Sequence, residues 1–199
     1  VLIMYDTYYM ISLLKDLCSS ENVCVYDIAK DGIDALRKIT LQKPDVILLD
    51  LEMPRMDGLT FIEEMVKRGT LIPTILVSSF SQDGAKIVLD ALENGAIDFV
   101  PISQLNPENM TILKEMLIDK INTAAHSDPQ KAVLEKIKNL RPKRKAIVSP
   151  QAASTVVAIA SSTGGPGVVQ SILSAFPADI HAGILVVQHM PKGFTKKFA

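Results

Sequence analysis

The sequence contains no Trp, and Phe, Tyr and Trp together make up 5% of its 199 residues. An interleaved basic and aromatic surface of the kind that grips nucleic acid has little material to draw on. Lys and Arg number 21 against 22 Asp and Glu, a net charge of -1, so the global electrostatic footprint of a nucleic-acid binder is missing too. Cysteine is nearly absent. Cys18 and Cys24 form neither a metal-ligand nor a redox spacing, and a cytosolic protein with reduced thiols is the simple reading. No apolar run approaches the roughly 18 residues of a membrane span. No basic, apolar and small-residue leader opens the chain. What is present is 48% hydrophobic and 22% charged residues, enough apolar material for a packed core and too much for a disordered or fibrous chain. At roughly 100–200 residues per domain, the length suits one or two domains. The chain starts at Val1 rather than Met, and Gly193 to Ala199 read as the start of a helix, so both ends are expected to be cuts in a longer protein.

The first 123 residues alternate between two periods. Val1–Met4, Val23–Ile28, Asp45–Asp50, Pro73–Ser78 and Ile97–Val100 read as strands. Met10–Leu17, Ile33–Leu41, Gly58–Val66, Ala85–Leu92 and Pro107–Ile121 carry helical spacing, with Asn94-Gly95 as a stop signal. The run at 45–50 is apolar between charged ends, as in a strand covered on both faces. Five strands alternating with five helices predict an α/β domain over 1–123, a (βα)5 doubly wound parallel sheet. Residues 124–153 are poor in apolar side chains and carry Arg141-Pro142-Lys143-Arg144-Lys145, a basic linker with room for a helix at Gln130–Leu140. Residues 154–199 open a second three-layer α/β domain, incomplete as given: strand Thr155–Ala160, helix Gly165–Phe176, strand Ala182–Val187.

Ligands of an open parallel sheet sit outside the carboxyl ends of its strands. Asp6 follows the first strand and Asp50 ends the third. Such a pair suits a hard divalent cation, Mg²⁺ first, and a carboxylate beside it can attack a phosphoryl donor. A lone strand-end Asp also serves well as a helix N-cap. The fuller string Asp50-Leu51-Glu52-Met53-Pro54-Arg55-Met56-Asp57-Gly58, with Ser78 and Gly95-Ala96-Ile97-Asp98-Phe99, resembles the phosphoacceptor, hydroxyl and last-strand motifs of response-regulator receiver domains. The resemblance implies phosphorylation at Asp50, a metal site of Asp6, Asp50 and the Glu52 carbonyl, and a switch pair of Ser78 and Phe99. Two positions depart from the family: Tyr5 stands where a second acid is usual, and Ile102 where a Lys is usual. A receiver fold without a phosphoryl switch is the alternative those departures raise.

Val156–Gly165 runs from a strand into Ser161-Ser162-Thr163-Gly164-Gly165. A hydroxyl on a tight strand-to-helix turn lies near helix N-terminal N–H groups that can stabilise an oxyanion. A Ser or Thr cap followed by a Gly turn accounts for the same residues without chemistry. His189 follows the next strand, where it could take a serine proton; His126 and His181 read as loop or packing residues. Ser161–Gly165 together with Gln188-His189-Met190-Pro191-Lys192-Gly193-Phe194 resembles the catalytic domain of chemotaxis protein-glutamate methylesterases. That resemblance implies Ser162 as nucleophile, Thr163 as an active-site neighbour and His189 as general base. The substrates it implies are glutamate methyl esters on cytoplasmic chemoreceptor helices, with deamidation of glutamines as a second activity. A chemotaxis histidine kinase is the implied phosphodonor, and neither nucleic acid nor membrane insertion is expected. Ala160 replaces the usual first Gly of the elbow, and the family's third catalytic residue, an Asp, is not found; Asp179, the only acid after Glu135, is not assigned to it. The competing reading is a non-catalytic module, a pseudo-receiver joined to a truncated domain that binds partners only.

Overall fold

The computed structural model describes residues 1–78, 85–102, 109–127, 155–177, 179–190 and 194–195. Five parallel strands form the first sheet: β1 (Leu2–Met4), β2 (Asp27–Ala29), β3 (Ile47–Leu49), β4 (Thr74–Ser78) and β5 (Asp98–Pro101). Their spatial order is β2-β1-β3-β4-β5, so the order reverses between β1 and β3. That reversal splays the connecting loops apart and leaves a crevice beyond the two strand ends. Five helices complete the unit: α1 (Tyr8–Leu17), α2 (Gly32–Leu41), α3 (Gly58–Lys67), α4 (Ala85–Asn94) and α5 (Met110–Ala125).

Alternation along each strand sends neighbouring side chains to opposite faces. Leu2, Met4, Leu49 and Leu76 pack with Phe61, Ile62 and Met65 of α3 and with residues of α2 and α4. Ile3, Leu48, Ile75 and Val77 pack instead with Leu14 and Leu17 of α1 and Leu117 and Ile121 of α5. Each fully buried Leu or Ile contributes about 1.5–3 kcal/mol, which is why the strands read as continuous apolar runs. Asp31 caps α2 by accepting from the Asp34 N–H at 2.9 Å, and Asp57 caps α3 by accepting from the Thr60 N–H at 2.8 Å. Asp31 also pairs with Arg55, which ties the start of α2 to the loop after β3.

Several boundaries differ from the sequence reading, and three of them have an evident local cause or consequence. The strand expected over 23–28 is confined to Asp27–Ala29. Ahead of it the chain is held by a Ser20–Val23 bridge and by a 3.1 Å bond from the Tyr26 N–H to the Val1 carbonyl. Helix α1 starts at Tyr8 rather than Met10, because its first turn exposes Tyr8 and Tyr9 and so lacks the apolar periodicity that marks the rest. Helix α5 runs on to Ala125, past the boundary expected at 123. The helix expected at Gln130–Leu140 lies outside the described residues.

Farther along the chain, β6 (Thr155–Ser161) and β7 (Ala182–Gln188) form a two-stranded parallel sheet with α6 (Gly165–Ala175) between them in sequence. One of its faces is open, with Val156, Leu185 and Val187 all exposed. Among the described residues, no helix is long and apolar enough to cross a membrane.

Candidate functional sites at two strand-end crevices

The first site lies where β1 and β3 end. The Tyr5 N–H donates to the Ala29 carbonyl and the Asp50 N–H to the Met4 carbonyl, each at 3.0 Å, which sets Tyr5 and Asp50 side by side. Asp50 is 6% exposed and Tyr5 5%. Gly58 lies so close under the Asp50 carbonyl and the Leu51 Cα that any Cβ there would collide with backbone. A glycine is therefore what lets α3 start beneath the loop that carries Asp50. Unlike Asp31 and Asp57, Asp50 caps no helix.

Burial pushes the Asp50 carboxyl up to about 6, and Asp6 adds to the rise; the Ser78 hydroxyl and the Glu52 and Leu51 N–H groups pull the other way. Tyr5 is held well above the ordinary tyrosine range by its own burial and by the Asp50 charge, and Ser78 also faces it. Tyr5, Asp50 and Ser78 thus form one polar cluster. Phe99 lies on β5 and is buried. Ile102, at the position where a Lys was expected from the family pattern, is buried in the opposite core, its N–H bonded to the Ser78 carbonyl at 3.1 Å. No ammonium reaches Asp50 from that position.

The Asp50 Oδ1 atom is buried and has no hydrogen-bond partner. Asp6, one residue beyond Tyr5, is exposed at the mouth of the crevice, and Glu52 is exposed two residues beyond Asp50. This cluster of oxygen acceptors, with the Asp50 Oδ1 unpaired, is of the chemical kind a hard cation such as Mg²⁺ takes. It supplies two carboxylates and a backbone carbonyl; among the described residues there is no group of three or more His, Cys, Asp or Glu side chains able to hold a metal.

The buried carboxylate has a pH signature. A carboxyl raised from 3.8 to about 6 penalises its ionised form in the folded state. That penalty is complete above pH 6 and is relieved as pH falls from 6 towards 4. In metal-free buffer, Asp50→Asn therefore raises stability at pH 7.5 by on the order of 1–2 kcal/mol, the residual access of solvent being allowed for, and the gain shrinks towards pH 4.5. Thermal unfolding at the two pH values checks it; an equal gain at both would remove the carboxylate charge as the cause.

The second site lies at the ends of β6 and β7. Their register pairs Ser161 with Gln188, so Ser162 and His189 emerge from neighbouring strand ends. The His189 N–H donates to the Ser161 carbonyl at 2.9 Å, extending the ladder by one step. Ser162 and His189 are both exposed, and Thr163 sits half-buried in the turn. The turn closes through the Gly165 N–H, which donates to the Ser162 carbonyl at 2.8 Å. Pro166 follows as an early helix residue without an N–H. The supply of oxyanion donors is therefore narrower than the bare motif suggests, because the first N–H of α6 is engaged and the second position has none. Asp179 forms no ion pair with His189 among the described residues.

The two sites are linked. Phe194, five residues beyond His189, is buried in the core of the first domain, its ring 4.7 Å from that of Phe99 and tilted by 30°. Met190 packs against the same core. Gln170 of α6 donates to the Glu93 carboxylate of α4 at 3.0 Å. The sequence pattern held no signal for these contacts beyond the apolar character of Met190 and Phe194.

Two family models match the chain: the response regulator receiver domain over residues 1–104 and the CheB methylesterase over residues 157–199. A protein-glutamate methylesterase/protein-glutamine glutaminase of Pyrococcus horikoshii is 42% identical over 202 residues, which cover 100% of this chain and 55% of that protein. One of the same description from Thermotoga maritima is 38% identical over 206 residues, covering 100% and 57%. This chain thus spans little more than half the length of the curated relatives it matches. The crystal structure of the response regulator domain of Thermotoga maritima CheB superposes with a TM-score of 0.57 at 34% identity, covering 64% of this chain and 96% of that one. A DNA-binding response regulator of the LuxR family from Staphylococcus aureus, with a TM-score of 0.52 at 24% identity over 63% of this chain and 97% of that one, shares the fold. The chain belongs to the response-regulator receiver family, and its receiver is followed by the opening part of a CheB methylesterase domain.

Proposed function

We propose that this chain carries the receiver and the nucleophile-bearing segment of a cytoplasmic chemotaxis methylesterase, which hydrolyses glutamate methyl esters on chemoreceptors and deamidates glutamines there. The observation that carries this reading is the register of β6 and β7, which brings Ser162 and His189 out of adjacent strand ends beside the start of α6. The Ser162 hydroxyl attacks the ester carbonyl while the His189 imidazole takes its proton. Charge developing on the carbonyl oxygen faces the N–H groups of the turn at 163–164 and of the first turn of α6 that remain free. The proton held by His189 goes to the departing methoxide, and methanol leaves. Water, deprotonated by His189, then attacks the acyl-serine and releases a glutamate carboxylate and free Ser162. A glutamine side chain follows the same path and releases ammonia.

The receiver regulates that site in this reading. A chemotaxis histidine kinase donates a phosphoryl group to the Asp50 carboxylate, the bond to phosphorus forming as the donor's bond to nitrogen breaks. Asp6, Asp50 and the Glu52 carbonyl would hold Mg²⁺, which when bound neutralises charge on the phosphoryl oxygens. Tyr5 and Ser78, which share the crevice with Asp50, are the hydroxyls that remain to face the group where the family's Lys is missing. Phe99 joins Ser78 as the switch pair and touches Phe194, so a change on β5 reaches the loop that follows His189.

The test is methanol release from a methylated chemoreceptor helix by the full-length protein, with and without a small phosphodonor and Mg²⁺. Hydrolysis that rises with the donor and fails to rise in Asp50→Asn is the expected result. No methanol under either condition sinks the esterase reading. Methanol release that ignores the donor sinks the switch and leaves the esterase standing.

A further inference from the structure

The Gln188 side chain contacts the main chain of both strand ends of the second site, and the sequence motif left it without a role. Its Nε2 donates to the Ser162 carbonyl at 3.0 Å and to the His189 carbonyl at 3.3 Å. Two carbonyl acceptors require a donor, so the chemistry of the site fixes which end of the amide faces them. The Ser162 carbonyl thereby has two donors, Gln188 Nε2 from the strand side and the Gly165 N–H from the helix side. Gln188 Oε1 is buried and has no partner. A buried acceptor left unpaired costs free energy, and such a group in a folded protein calls for an explanation. Because that oxygen is enclosed, substrate does not reach it, and the role of the side chain is directed inward.

Gly165 is part of the same arrangement. A Cβ at that position would collide with Ser161 Oγ and with the Gln188 amide. Ser161 and Gln188 are cross-strand partners at the last step of the β6–β7 register, and both lie under the start of α6. The turn bearing Ser162 can settle onto the Gln188 amide only because residue 165 has no side chain.

We infer that Gln188 is a positioning residue of the esterase site, a clamp that sets the distance between Ser162 and His189 through their main chains. This rests on the esterase reading of the site. Catalysis by a serine and histidine pair depends on holding both in register with the reacting carbonyl, and a displacement of about 1 Å can cost about 10²-fold in rate. Gln188→Met keeps the length of the side chain and removes the donor. Gln188→Glu keeps the shape and turns an acceptor towards two carbonyls. Gly165→Ala displaces the amide from the other side.

The experiment uses the full-length protein and two readouts, methyl-ester hydrolysis and the rate at which a fluorophosphonate modifies Ser162. Rates are expressed per site counted by active-site titration, so that loss of folded protein does not enter. The expected result for Gln188→Met is a fall of about 10²-fold in kcat and in the modification rate, with KM changed by less than about 2-fold. Gly165→Ala shows the same pattern, and the double variant is no worse than either single one, because both remove one clamp. Per-site rates equal to those of the native protein in Gln188→Met and Gln188→Glu overturn the inference while the native esterase stands. Failure of the esterase reading has another signature, in which the native protein itself releases no methanol and takes up no fluorophosphonate at Ser162; that overturns both.

Discussion

Ser162→Ala in the full-length protein lowers methyl-ester hydrolysis by on the order of 10⁴–10⁶-fold, and adding His189→Ala lowers it little further. The reason lies in the geometry of β6 and β7. The register that ends with Ser161 opposite Gln188 delivers the two side chains to the same edge, and the ladder continues through the 2.9 Å bond from the His189 N–H to the Ser161 carbonyl. A base without its nucleophile has no proton to take, and a nucleophile without its base attacks in its weakly reactive protonated form. Either loss removes the same step, so the two are not additive. Both side chains are exposed, so their removal leaves the core untouched and the unfolding temperature of the variants stays close to that of the native protein. Methanol release, with unfolding monitored in parallel, checks both statements. Retention of more than about a tenth of the activity in Ser162→Ala, well above what binding alone leaves, would show that another group performs the attack.

The second large effect is on stability. Lys120 of α5 and Asp98 of β5 form an ion pair of 2.6 Å with side chains 8% and 5% exposed. Asp98 also accepts from the Phe99 N–H at 2.8 Å, so one carboxylate anchors α5 and the start of β5 together. Lys120→Met leaves that carboxylate buried without its cation, at a cost of about 3–5 kcal/mol. The unfolding temperature of the receiver falls by about 10 °C or more. The pair as a whole is worth much less than that, because removing both charges also removes the cost of taking them out of water. Asp98→Asn combined with Lys120→Met therefore recovers most of the loss. Urea unfolding of the single and double variants measures it. A double variant as unstable as Lys120→Met would show that the packing of the lysine stem, rather than its charge, holds α5 in place.

The positions of Asp50, Ser162 and His189 were legible in the sequence for a shared reason. Each follows an apolar run that reads as a strand, and in a parallel sheet the ends of such runs converge on one edge. Among the described residues, alternation and helical spacing marked the seven strands and six helices, some with shifted ends, because both periods report which residues are hidden from water. The errors fell where a local contact overrules periodicity or where a turn faces solvent. Val23 is β-branched and alternates with its neighbours, yet it is drawn into a bridge with Ser20. Tyr8 and Tyr9 lie on a helix turn that faces solvent and carry no periodic signal.

The partners of individual side chains lay beyond the sequence. Periodicity shows that Tyr5, Ile102, Phe99 and Phe194 are suited to burial; it does not show against what. Folding puts the Tyr5 phenol against Asp50 and Ser78, turns Ile102 into the core, and brings Phe194, far along the chain, onto Phe99. It also carries the Gln188 amide beneath the turn of Ser162. The sequence by itself determined the succession of strands and helices along the chain and the residues at the strand ends, since those follow from local hydrophobic pattern. The tertiary structure alone decided how each crevice is furnished and that Phe194 packs onto Phe99, since those depend on close packing between segments far apart in the chain, where the fit of one side chain against another has no local signature.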